Sequence, residues 1–289
     1  MRRLKRHLIP YRPILGRGAF AIQEGLMQVR WLQEALGTLE GKVVLEIGSG
    51  WEPLLPLLFY ACGASRVYLT DLTDLMDTAT LAGTLESLHA NRQPILDALG
   101  MDAARFDAMF SAPVVSRADF FERYRFVRLA PADCQDLPLE PASIDAITSR
   151  SVLEHIPPAV VERIFRESGR LLRPSGVLCH FIDNSDHWQH RDHSISRVNF
   201  LRYSDRVFRL TYINPLHYTN RLRHSEYLKM LRRCGFEIVR AEPTVEPRTL
   251  EEVATLPLAP RFRGFSAEDL AATDSYLLAR KPEEKSSLR

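Results

Sequence analysis

Five short apolar runs, Val43 to Ile47, Val67 to Thr70, Phe126 to Leu129, Ile144 to Thr148 and Val177 to Ile182, are separated by stretches of helical character. Strand and helix in alternation build a parallel sheet with right-handed crossovers and helices on its faces. The runs lack polar alternation, as expected of strands covered on both sides. Ahead of them, Ala19 to Leu39 sets Ile22, Leu26, Val29, Leu32 and Leu36 at helical spacing, which predicts an amphipathic helix beside the first strand. Near the end, Ser225 to Arg233 reads as a helix stopped by Gly235, then a sixth strand at Phe236 to Val239 and a seventh at Ser275 to Arg280. The fold class is α/β, doubly wound, with a helical N-terminal cap.

Two intervals exceed what a plain crossover needs, and long insertions in a compact fold are usually functional or disordered. The first, about Leu75 to Tyr124, predicts two or three helices with breaks at Gln93-Pro94 and Ser111-Ala112-Pro113. The second, about Asn184 to Arg223, carries Trp188, Phe200, Tyr203, Phe208, Tyr212 and Tyr218. So many aromatic residues argue for a packed lid over a pocket. The chain thus divides into residues 1–40 (basic arm and first helix), 41–183 (cofactor-binding core), 184–223 (lid) and 224–289 (completion of the sheet), all within one domain.

The first strand runs into Glu46-Ile47-Gly48-Ser49-Gly50-Trp51-Glu52-Pro53. Two glycines leave the backbone bare, so a flat polar ligand can lie on the peptide groups. A dinucleotide loop wants a third glycine and a helix N-terminus facing a pyrophosphate. Here Glu52 would face the phosphates and Pro53 replaces the close-packing glycine. S-adenosylmethionine (SAM) has no phosphate and tolerates acidic neighbours such as Glu46, so the loop favours SAM. A tight turn with no ligand is the plain alternative.

A formal net charge of +2 gives no global case for nucleic-acid or membrane partners. The exception is the start, where Arg2, Arg3, Lys5, Arg6, Arg12 and Arg17 precede the first acid, Glu24. A solvated terminus explains that arm as simply as an anionic partner does. No stretch is long and apolar enough to span a bilayer or serve as a secretory signal. The four cysteines, Cys62, Cys134, Cys179 and Cys234, form no CxxC pair and read as reduced thiols of a cytoplasmic protein.

In order and spacing, several segments resemble the class I SAM-dependent methyltransferases, in a small-molecule branch similar to ubiquinone-biosynthesis methyltransferases. They are Leu45-Glu46-Ile47-Gly48-Ser49-Gly50, Asp71, Ala132-Asp133-Cys134-Gln135-Asp136-Leu137-Pro138, Ser143-Ile144-Asp145-Ala146-Ile147, Val152-Leu153-Glu154-His155-Ile156 and Arg170-Leu171-Leu172-Arg173-Pro174-Ser175-Gly176. The resemblance covers about Gly41 to Asp183 and departs from the family in lacking a third glycine. It implies a Rossmann-like, seven-stranded, mostly parallel sheet whose last strand is antiparallel, with SAM at the carboxyl ends of the first strands. The implied cofactor residues are Glu46, Gly48, Ser49, Gly50, Asp71, Leu72, Asp133, Cys134, Ser149 and Arg150. Asp71 stands about twenty residues past the glycines, where a carboxylate accepts ribose hydroxyls. A helix N-cap is its plain alternative, a turn cap that of Asp133, and a surface position that of Arg150.

Methyl transfer from a sulfonium is an in-line displacement, so a base is needed only when the acceptor holds its proton. His155 is the candidate base by resemblance, and Asp183 can orient it or bind the acceptor. His187, His190, Arg202, Tyr203 and Arg221 are candidate substrate contacts on the lid, suited to a hydroxylated or carboxylated acceptor. His187, His190 and His193, at three-residue spacing, spread too widely round a helix for a compact metal site. A divalent metal is possible if the chain turns there but is not favoured over a polar, substrate-facing lid. The function read from the chain is SAM-dependent methyl transfer to a polar small molecule or sugar, at oxygen, of the kind met in small-molecule or glycan biosynthesis. An RNA methyltransferase gripping phosphates with the basic arm would show salt-dependent binding lost with residues 1–17, but Ser149-Arg150-Ser151-Val152 stands where many base N-methyltransferases carry Asn/Asp-Pro-Pro-Tyr. A non-catalytic partner protein of this fold would bind cofactor weakly, which the intact first motif argues against.

Overall fold

The computed structural model describes residues 17–213 and 218–283. The arm from Arg2 to Arg12 lies outside them, and of Arg17 only the backbone is described. Seven strands, β1 (Val43–Ile47), β2 (Arg66–Thr70), β3 (Phe126–Arg128), β4 (Ile144–Arg150), β5 (Leu172–Asp183), β6 (Glu237–Val245) and β7 (Ala272–Arg280), form one sheet. Their order is β3-β2-β1-β4-β5-β7-β6, and β7 alone runs antiparallel to its two neighbours. The register sets Ile47 opposite Thr70 and Ser149, and Ser149 opposite His180, so the carboxyl ends of β1, β2, β4 and β5 converge on one edge. In doubly wound sheets, ligands bind outside those ends.

Helices α1 (Arg17–Leu36) and α2 (Leu54–Ala61) flank β1, and α3 (Thr78–Ala90), α4 (Arg92–Leu99), α5 (Ala103–Phe110) and α6 (Arg117–Arg123) fill the interval between β2 and β3. That is four helices where two or three were expected. Gly100, in the left-handed region at φ 60°, ends α4, and the Asp102 side chain caps α5 by accepting from the Arg105 N–H at 2.7 Å. The break expected at Gln93-Pro94 falls at Asn91 instead; Pro94 sits in the first turn of α4, where its missing N–H costs nothing.

Beyond α7 (Pro158–Leu171) and β5, the insertion holds α8 (Asp205–Thr211), and α9 (His224–Arg233), α10 (Pro247–Thr255) and α11 (Ala267–Ala271) follow. One face of the sheet packs a core around Trp31, Leu57, Phe59, Phe106 and Tyr124, the other around Ile147, Phe165, Leu178, Tyr227 and Leu231. Each such side chain contributes about 1.5–3 kcal/mol by leaving water. A third cluster joins Phe200, Leu201 and Phe208 of the insertion to Val253 and Phe262, which follow β6. The lid therefore shares a core with the chain after the sixth strand.

Two buried polar groups root it. Arg223, fully buried, donates to the carbonyl oxygens of Asn184 (2.7 Å) and Leu270 (3.3 Å). Asp186 accepts from the Tyr212 hydroxyl at 2.9 Å and from the Trp188 N–H at 3.0 Å.

Candidate functional site

Gly48 and Gly50 both lie at positive φ, 72° and 59°. A Cβ on Gly48 would meet Val152 Cγ2 at 2.6 Å, so this position admits no side chain as the backbone stands. Val152 reaches it because Ser151, also left-handed at φ 53°, turns the chain at the end of β4. The turn is held open by its own bonds: the Ser49 N–H donates to Thr70 O at 2.8 Å and the Gly50 N–H to Asp71 Oδ2 at 3.2 Å. Asp71 Oδ1 accepts from the Thr73 N–H at 2.9 Å. The N-cap of α3 is Asp77, so the cap alternative for Asp71 falls away. Leu72 beside it is 56% exposed, an uncovered apolar face next to the glycine turn.

The first helix closes this edge from above. Glu24 and Gln28, one helical turn apart, are buried polar residues on a face that otherwise carries Ala21, Ile22 and Val29. The Gln28 amide donates to Ser149 O at 3.3 Å, and Glu24 reaches Arg150 at 3.6 Å. Burial pushes the Glu24 carboxyl up to about 8 against the pull of Arg150, Glu46 up to about 7, and Asp274 up to about 6. A carboxyl raised on folding holds its proton more tightly in the native chain, so stability falls as pH climbs from the unfolded value to the folded one. Buried His180, held down at about 3 from 6.5, acts the other way, but only below pH 6.5. The ligand-free protein is therefore expected to lose melting temperature between pH 6.5 and 8, and Glu24→Gln to flatten that slope. A wild-type melting temperature that is level across this window, followed by scanning fluorimetry, would contradict the assignment.

Across from the glycine turn, at the ends of β4 and β5, five ionisable groups meet. Asp183 Oδ2 lies 3.3 Å from His187 Nε2 and 3.6 Å from His190 Nε2. Burial would raise the Asp183 carboxyl, but the hydrogen bonds from His187 and Ser185 and the imidazole's charge outweigh it and hold it down at about 2. The His187 ring stacks on His190 and stands edge-on to His155, each at 5.0 Å between centroids. His155 Nδ1 is bonded to Tyr218 O at 2.8 Å, and its Nε2 is 4.0 Å from Glu154 Oε1. Glu154 is buried, and burial, with the Asp183 charge behind it, pushes its carboxyl well above the usual range.

Residues 114–180, from the loop before α6 into β5, match the family described as "Methyltransferase domain". With the strand order and the SAM-type glycine turn, that match decides the class. Residues 114–180 are those of a methyltransferase domain. The matched segment stops short of both the glycine turn and the lid. No curated protein sequence matches the chain. Solved structures similar to it include an S-adenosylmethionine-dependent methyltransferase from Mesorhizobium loti, at 17% identity over 87% of this chain and 96% of that one, with a TM-score of 0.47. Another is the magnesium protoporphyrin IX methyltransferase of Synechocystis PCC 6803 with bound S-adenosylhomocysteine (SAH), at 15% identity over 97% and 93%, with a TM-score of 0.49. A third is the [4+2]-cyclase SpnF, at 16% identity over 90% and 81%, with a TM-score of 0.48. Likeness at this level bears on neither the acceptor nor the role of any residue.

In this methyltransferase, Glu46, Gly48, Ser49, Gly50, Asp71, Leu72, Cys134, Ser149 and Arg150 line the edge where the strand ends converge. Asp133 is exposed, and its carboxylate accepts from the Gln135 N–H (3.0 Å) and from the Gln135 amide, so it caps its own turn. Asp183 lies beside His187 and His190, at 3.3 and 3.6 Å. Arg221 is no substrate contact as placed; its buried guanidinium lies over Phe208 and Phe262 and donates to Phe200 O, Tyr203 O and Asp205 within the lid. Arg202 is exposed over Tyr203, and Tyr203 packs on Tyr212, both on the lid's outer cluster. Sequence reasoning missed Glu24, Gln28 and Glu154. The signal for the first two was present, as two polar residues four apart on an apolar helical stripe.

No helix among the described residues is long and apolar enough to cross a membrane, and the four cysteines are unpaired thiols.

Proposed function

We propose that the methyltransferase transfers the methyl group of SAM to a hydroxyl oxygen of a polar small molecule or sugar. The cofactor's methionine end lies against Gly48, Ser49 and Gly50, with Glu46, the Ser149 carbonyl and Arg150 at its border. Asp71 accepts from the ribose, Leu72 covers the adenine and the Cys134 backbone meets its edge. The observation that carries the reading is the ionised Asp183 holding two imidazoles, His187 and His190, across from the glycine turn. As the oxygen attacks, the O–C bond forms while the S–C bond breaks and the sulfonium becomes a neutral thioether. The hydroxyl proton passes to the imidazoles held by Asp183, and from His190, 43% exposed, to water. An oxygen acceptor needs such a proton path, and positioning supplies much of the remaining rate.

Methyl-labelled SAM offered with a panel of sugars, phenols, hydroxy acids and RNA tests this. Label is expected in a methyl ether of a small hydroxylated molecule. Label recovered in RNA, or on nitrogen, would overturn it.

A further inference from the structure

We propose that Glu154, His155 and His187 form a binding site for one divalent transition-metal ion. Their ligand-capable atoms lie within 4.8 Å of one another. Ligands at zinc-like distances stand about 3.3 Å apart, so side-chain movements of about 1 Å close the set. Spacing along the chain could not reveal this trio, because Glu154 and His155 sit on a short 3₁₀ turn after β4 while His187 enters from the lid after β5.

Two further observations point to a cation. Both carboxylate oxygens of Glu154 are buried and make no hydrogen bond of normal geometry among the described residues; only the backbone N–H groups of Glu154 and Asp183, with the Arg150 charge, favour its ionised form. A buried carboxylate without donors is costly unless a proton or a cation neutralises it. His155 is oriented as a ligand: Nδ1 donates to the Tyr218 carbonyl at 2.8 Å, which leaves the lone pair on Nε2, the nitrogen facing Glu154. A backbone carbonyl behind a ligating imidazole is the usual means of fixing its tautomer and direction. Asp183, at 3.3 Å from His187 Nε2, supplies the corresponding carboxylate on the lid side.

Two imidazoles and one carboxylate suit zinc, manganese, iron or cobalt better than magnesium or calcium, which favour all-oxygen shells. Three protein ligands leave coordination positions open. A cation here ties the lid to the core and presents an open position to the acceptor oxygen, lowering that hydroxyl's pKa. With the ion bound, His187 is a ligand, and His190 with Asp183 remains to take the proton. That role rests on the acceptor reading above; the binding itself does not.

The test uses the full chain, stripped with a chelator and equilibrated separately with Zn²⁺, Mn²⁺ and Co²⁺. Bound metal is counted by mass spectrometry after gel filtration, cobalt is followed by its visible absorption, and SAH affinity is measured alongside by calorimetry. One equivalent per chain is expected, with affinity reduced more than about tenfold in His187→Gln and Glu154→Gln. His193→Gln, exposed on the lid, is expected to bind as wild type does. Should Glu154→Gln fail to fold, His187→Gln decides alone, with retained SAH binding as proof of its fold. A wild type that binds SAH yet takes up none of the three ions stoichiometrically, or binding that survives in His187→Gln, overturns the site. Failure of the cofactor reading would show separately, as a wild type that does not bind SAH.

Discussion

Asp183→Asn is expected to lower turnover by about 10²–10⁴-fold, the range a positioned acid–base group supplies, while SAH affinity stays within about threefold. The substitution is nearly isosteric. It can keep an oxygen for the Ser185 N–H and hydroxyl, now at 2.9 and 2.5 Å from Oδ1, so the start of the lid has no reason to move. What it removes is the charge on the other oxygen. An ionised Oδ2, 3.3 Å from His187 Nε2, favours the tautomer with its proton on that nitrogen and leaves the second nitrogen able to take a proton; an amide NH₂ in its place is a donor and favours the opposite tautomer. The pH profile separates this from a packing defect. Because the wild-type Asp183 carboxyl is held down at about 2, its ionisation does not limit activity at any pH where the protein works. The loss in Asp183→Asn should therefore persist across the neutral range, and Asp183→Glu should recover part of it. Rates within about threefold of wild type in Asp183→Asn, at saturating acceptor, would remove Asp183 from the proton path.

How far the chain could be read in advance depended on the distance over which each feature is decided. Strands covered on both faces are unbroken apolar runs, and the glycine turn is local, so the sheet, its carboxyl edge and the Gly48-to-Gly50 loop were legible. The reversed β7 came with the family resemblance, not from its residues. The fourth helix before β3 was missed although its signal is local: Gly100 followed by Asp102 is a helix stop and a cap in four residues, Leu99 to Asp102. What failed was pairing across the fold. Asp183 had four histidines within ten residues of it, His180, His187, His190 and His193, and a fifth, His155, after β4, and nothing in the spacing chose among them. The choice is made by Tyr218, whose carbonyl takes His155 away at 2.8 Å. Arg221 reads as a donor for an acceptor because charge suggests exposure, yet the rings of Phe208 and Phe262 bury its guanidinium inside the lid, as Phe200 does that of Arg223. Glu24 reaches the site from a helix that precedes the first strand, over 100 residues before Arg150, and only the folded chain joins them.

Gly48→Ala is expected to weaken SAH binding by at least about 30-fold, and Val152→Ala in the same chain to restore the steric part of that loss. Two penalties act at this one position. A non-glycine residue at φ 72° costs roughly 1–2 kcal/mol, and the new methyl group would overlap Val152, whose Cγ atoms lie 2.6 and 2.7 Å from its Cβ. Overpacking of that kind typically costs about 1–3 kcal/mol. Relief requires the turn or the segment after β4 to move, and both border the cofactor; about 1.4 kcal/mol of lost fit is tenfold in affinity. Gly50 provides the contrast. Its φ is 59°, but the nearest atom to an added Cβ is Gly48 O at 3.8 Å, so Gly50→Ala carries the backbone strain alone. Calorimetric titration of SAH into Gly48→Ala, Val152→Ala, the double variant and Gly50→Ala separates the two terms. The steric account requires a favourable coupling between positions 48 and 152 of at least about 1 kcal/mol, within the range for residues in contact. Strictly additive effects would mean that the turn is broken by its backbone geometry alone, and that Val152 is a bystander rather than the wall that forces glycine on the loop.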